Sequence, residues 1–125
     1  MTTITTKEDF NTLLQDKQAV LFLFFDWSGQ AHSSLRVFTE WELEWRASHP
    51  AASVGFYRLD PDRCTDSWNW IVEHAHGDEG MDAGFGSVPW LRQGKGIGFV
   101  RFAAKAGKVK LSQLTDEYFG SATAA

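Results

Sequence analysis

The spacing of apolar residues changes along the chain, and each change marks an element. Thr5-Thr6-Lys7-Glu8 reads as a capping box, with Thr5 as N-cap and Glu8 reaching back. Phe10, Leu13 and Leu14 then form one apolar stripe, which predicts a helix near residues 6 to 16. Residues 19 to 25 are apolar without alternation, the pattern of a strand covered on both faces. From Ala31 the period turns helical, with Leu35, Phe38, Trp41 or Glu42, and Trp45 on one line, about four to five turns ending at His49-Pro50. Ser53 to Asp60 reads as a second strand that ends in the turn Asp60-Pro61-Asp62, and Ser67 to His76 as a third helix burying Trp68, Ile71 and Val72.

Glycine and acids dominate from Gly77 to Gly86, which predicts a mobile surface loop within reach of a neighbouring site. Ser87-Val88-Pro89-Trp90-Leu91, glycines at 94, 96 and 98, the strand-like Ile97 to Phe102 and a turn around Gly107 read as a hairpin. Leu111 to Phe119 closes as an amphipathic helix, with a frayed tail from about residue 120 to 125. The chain's 125 residues, 43 % of them hydrophobic, suffice for one core, so a single domain over 1–125 is expected. A net charge of -4 without a Lys/Arg run argues against nucleic acid as a partner. No leader pattern and no apolar stretch of spanning length argue against a membrane, so a cytoplasmic protein is expected; the single cysteine, Cys64, fits a reducing compartment.

One motif narrows the fold. The buried strand leads into Trp27-Ser28-Gly29-Gln30-Ala31 at a helix start, Val88-Pro89 follows later, and a glycine-turned hairpin precedes the closing helix. In these matches and in element order the chain resembles the thioredoxin family over nearly its full length. The resemblance implies an α/β fold, a central mixed sheet of four to five strands flanked by helices on both faces. It also implies a cis Val88–Pro89 bond packed opposite the turn, beside backbone that binds extended peptide. Ser28 and Ala31 stand where the family's Cys-X-X-Cys cysteines would be, Gln30 replaces the intervening proline, and Phe22 replaces the buried acid that assists proton transfer. Arg36 stands where a kinking proline is frequent. The thiol machinery is therefore lost at three separate points, and dithiol chemistry is excluded.

The remaining chemistry is sparse. The Ser28-Gly29-Gln30 turn offers backbone N–H groups to an anion, or is simply capped by its serine. Ser28 and His32, four apart, form a candidate hydrolytic pair without a third residue to orient the histidine. His74-Ala75-His76 with Asp78 and Glu79 has metal-ligand types, but i,i+2 positions on a helix face different ways, and the set reads as a polar helix end. Cys64 near a helix start is either an activated thiol or a small filler. No catalytic residue, metal or cofactor is assigned. The leading expectation is a redox-inactive protein- or peptide-binding or chaperone-like module using Trp27, Ser28, Gly29, Gln30, Ala31, Val88, Pro89 and Trp90, with Trp27 and Trp90 as aromatic anchors and the backbone at Pro89 adding a strand. The alternatives are a non-thiol enzyme built on Ser28 and His32, and a homo-oligomer paired through the same surface.

Overall fold

The computed structural model describes residues 1–75 and 83–120. Along the chain run β1 (Thr2–Ile4), α1 (Lys7–Gln15), β2 (Ala19–Leu23), α2 (Gly29–Ser48), β3 (Gly55–Leu59), α3 (Thr65–His74), a 3-10 turn (Ala83–Phe85), β4 (Val88–Arg92), β5 (Lys95–Val100) and α4 (Ala103–Phe119). The strands form one sheet in the order β1-β3-β2-β4-β5. Strands β1, β2 and β3 are parallel, β4 runs antiparallel to β2, and β5 antiparallel to β4.

Why β2 is apolar without alternation follows from its place. Val20, Phe22 and Phe24 pack with α2 and α4 on one face, while Ala19, Leu21 and Leu23 pack with α1 and α3 on the other. A strand buried on both faces has no position for a polar side chain. The α2/α4 side is dense in rings: Phe38 lies 5.2 Å from Phe22 and 5.5 Å from Trp41, and Trp41 lies 5.6 Å from Phe56, spacings at which tilted aromatic pairs attract. Helix α2 passes unbroken through Arg36 and ends where His49 stacks on Trp45 at 4.2 Å, one residue before Pro50.

Two local expectations shift, and one strand, β1, lies where none is expected. The capping box uses Thr6 and Asp9 rather than Thr5 and Glu8: Thr6 Oγ1 accepts from Asp9 N at 3.1 Å, and Asp9 Oδ2 accepts from Thr6 N at 3.2 Å. Asp9 also accepts from Thr5 N at 3.0 Å, and these bonds, the Thr5 backbone first, hold its carboxyl below the usual aspartate value. Strand β1 lacks enough residues to show a period, because Ile4 is its single buried side chain. The turn expected at Gly107 is instead a break inside α4, where Gly107 adopts φ 82°, ψ 166°. His76, expected at the end of the third helix, residues 77–82 of the expected acidic loop and the tail 121–125 lie outside the described residues.

On the α1/α3 side, Tyr57 donates to Asp16 Oδ2 at 2.6 Å, tying β3 to the end of α1. Burial first, then this bond and the carboxylate's charge, push the phenol up to about 12 from an ordinary 10.0. Because the folded state holds the proton more tightly, this contribution to stability is whole below pH 10 and is lost as pH rises through about 12. A phenolate absorbance titration should therefore show one late-ionising tyrosine that Tyr57→Phe removes. A titration from which Tyr57→Phe removes no late-ionising component would contradict the Tyr57–Asp16 bond.

Candidate functional site

The end of β2 delivers Asp26 and Trp27 to the surface and Ser28 to the start of α2. Ser28 is the N-cap: its Oγ accepts from Ala31 N at 3.2 Å. Its hydroxyl proton goes to the Gly84 carbonyl, with Gln30 Oε1 at 3.2 Å as the alternative acceptor. The side chain is thus engaged in capping and in holding the 3-10 turn, and is 4 % exposed. His32 turns away from it: Nε2 meets the Asp26 carbonyl at 2.9 Å and the ring stands edge-on to Phe24 at 4.9 Å. This geometry gives His32 no role as a base for Ser28.

Residues 84–87, the end of the 3-10 turn and the two residues after it, are sewn to Ser28, α2, the start of α4 and β2 by four successive carbonyls. Gly84 O accepts from Ser28 Oγ, and Phe85 O from Ser34 Oγ at 2.7 Å. Gly86 O accepts from Ala103 N at 3.0 Å, and Ser87 O from Leu23 N at 2.9 Å. Ser34, fully buried, also accepts from Ala104 N at 3.0 Å, and Ser87 Oγ donates to Arg101 O at 2.8 Å. Four elements converge here because each buried backbone group needs a partner. Sequence reasoning missed Ser34 and Ser87. The signal for Ser34 was a serine close to the apolar line of α2, where a buried hydroxyl has to be matched.

The expected binding residues divide sharply. Trp27 is 68 % exposed, and Gly29 and Gln30 are exposed, whereas Ser28, Ala31, Val88, Pro89 and Trp90 are buried. Trp90 is therefore a core residue and not a surface anchor: its Nε1 donates to Thr115 Oγ1 at 3.0 Å, and Tyr118 packs 5.2 Å away. Strand addition at Pro89 is corrected too. Strand β4 is interior, with Val20 opposite Trp90 on one side and Val88, Pro89 opposite Val100, Phe99 on the other, so neither edge is free. The expected cis bond is absent: no cis peptide occurs among the described residues, and Val88–Pro89 holds the ordinarily preferred trans form within the ladder.

The thiol position is equally closed. Phe22, where the resemblance places a buried acid, is fully buried against Phe24 and Phe38 and offers no group to move a proton. Cys64 is half-buried on the opposite side of the sheet, its Sγ 3.8 Å from the Ile4 carbonyl. Burial, then the charges of Asp60 and Asp9, raise its pKa, so the thiol is deactivated rather than primed. His74 packs on Trp70 at 4.8 Å and meets Glu73 at 3.7 Å, while His76, Asp78 and Glu79 lie outside the described residues. Among the described residues no group of three metal-ligand side chains occurs, and no helix is long and apolar enough to cross a membrane.

Comparison with solved structures agrees with this architecture. The chain superposes on thioredoxin from Fasciola hepatica with a TM-score of 0.67 at 16 % identity, covering 94 % of this chain and 99 % of that one. Thioredoxin from Malassezia sympodialis gives 0.64 at 18 %, over 94 % and 90 % of the two chains. Human ERp44 in a zinc-bound form gives 0.70 at 16 %, over 93 % of this chain and 30 % of ERp44. No protein-family model and no curated protein sequence matches the chain. The chain has the thioredoxin fold, and with one cysteine it carries no Cys-X-X-Cys pair.

Proposed function

We propose that this chain is a redox-inactive, cytoplasmic thioredoxin-fold module, one domain over residues 1–125, that binds a protein or peptide through a surface centred on Trp27, Gly29 and Gln30. The observation that carries the reading is the state of Trp27. Its indole is 68 % exposed yet held in place, with Nε1 donating to Asp62 Oδ2 at 2.9 Å and Phe25 at 5.3 Å. A Cβ on Gly84 would come within 3.0 Å of the ring, so the 3-10 turn backs it as well. An exposed aromatic fixed in this way loses little rotamer freedom on contact, which is the property of an interface anchor.

The test is selection of a random peptide library on the immobilised protein, with enriched peptides measured against Trp27→Ala. An anchor of the usual weight predicts about 30-fold weaker binding to the variant. Peptides that bind both proteins equally would place recognition elsewhere. Pairing of two copies through the same indole is the second reading; it predicts a mass that rises with concentration in the wild type and stays monomeric in Trp27→Ala.

A further inference from the structure

Beside Trp27, past Gly84, opens a groove of about 560 Å³ at the junction of β5 and α4. Its apolar wall is Val100 with the rings of Phe85 and Phe102, 5.2 Å apart. Arg101 lies over the Phe85 face at 4.8 Å, and Lys105 and Lys110 complete the lining. Among the described residues no carboxylate lines the groove, although the chain holds 16 acids against 12 Lys and Arg. The contrast with the lysine between them is informative: Lys108, on the far side of the Gly107 break, is matched by Glu44 at 3.0 Å and Glu40 at 3.7 Å. Among the described residues Lys105 and Lys110 have no acidic partner.

We propose that this groove docks an acidic peptide segment of a partner protein, one apolar side chain lying on Val100, Phe85 and Phe102 while its carboxylates meet Lys105 and Lys110. Charge complementarity fixes the sign of the occupant, because a net-negative chain that gathers cations around an apolar floor attracts acids and repels bases. Shape fixes its kind. A Cβ on Gly84 would meet the Trp27 ring, and Phe85 lines the groove, so the two surfaces are joined by adjacent residues and suit an extended ligand. The inference rests on the binding reading above and names the chemistry of its partner.

The experiment is a nitrogen-15 NMR titration of the whole chain with the capped peptide Glu-Asp-Phe-Glu-Asp-Leu, beside its charge-reversed counterpart Lys-Arg-Phe-Lys-Arg-Leu. The acidic peptide should shift the amides of Phe85, Phe102 and Ala106. Lys105→Glu with Lys110→Glu should weaken it by about tenfold, both sites being on the surface and away from the core. Equal shifts with the basic peptide, or unchanged affinity in the double variant, would overturn the assignment. The two readings fail separately. If selected peptides depend on Trp27 while the acidic peptide leaves the groove signals unmoved, the anchor stands and the acidic class falls. If the acidic peptide titrates the groove and nothing depends on Trp27, the groove stands and the anchor falls.

Discussion

Gly86→Ala is expected to remove about 2–5 kcal/mol of folding stability, a large share of what a domain of ordinary stability possesses. Two independent terms add. Gly86 has φ +85°, a conformation that L residues adopt at a cost of about 1–2 kcal/mol. A Cβ there would also lie 2.3 Å from Ser34 Cβ and 2.7 Å from Ser34 Oγ, in a buried site with bonds on every side. Overpacking of that kind costs about 1–3 kcal/mol. Gly107→Ala separates the terms, because Gly107 has φ +82° but no atom within 4 Å of its would-be Cβ. Urea melts should rank Gly86→Ala well below Gly107→Ala. Ser34→Gly beside Gly86→Ala removes the atom the new methyl meets, so the pair should be less destabilised than the sum of the single changes. Equal melts for Gly86→Ala and Gly107→Ala would mean that residues 84–87 can lift off the turn at Ser28.

This sewn segment explains what the turn can still do. A nucleophile at position 28 needs an exposed atom, yet Ser28 is buried and the Gly84 carbonyl sits on its hydroxyl. The Ser28 side chain serves capping and cross-linking, while Trp27 beside it stays exposed. A fold can keep its frame while its former reactive position becomes a structural joint.

Much of the frame was legible because burial writes directly into sequence. The uninterrupted apolar run of β2, the helical line through Phe38, Trp41 and Trp45, and the glycine-turned hairpin each demand one element. Where the signal was shorter than a period it failed. Strand β1 contributes one buried residue, and the capping box lies one residue later than Thr5 and Glu8, at Thr6 and Asp9. The site was less legible than the fold. Whether an aromatic beside a turn faces water depends on what the far end of the chain lays over it, and no local pattern around Trp90 reports that Thr115 and Tyr118 will cover it. The groove was missed for the same reason: Phe85 and Lys110 are remote in sequence and meet through the packing of α4 on α2.

Trp90 and Trp27 should therefore respond oppositely to truncation. Trp90→Ala is expected to cost about 3–5 kcal/mol, because it empties a fully buried indole volume on the sheet face that packs against α4. The neighbourhood is shaped around that ring. Gly98 stands opposite it in the ladder, and a Cβ there would meet Tyr118 at 2.2 Å, so the glycine admits the tyrosine that packs on Trp90. Thr115→Val keeps the shape but strands the buried indole N–H, at about 1–3 kcal/mol. Trp27→Ala, at an exposed position, should change stability by only about 0.5 kcal/mol. Urea melts, together with binding of the selected peptides measured well below each variant's midpoint, distinguish the two roles. Trp27→Ala should lose ligand with its melt intact, and Trp90→Ala should lose stability while whatever remains folded still binds. The reverse result, a stable Trp90→Ala that no longer binds, would return Trp90 to the surface, where its place beside the turn first suggested it stood.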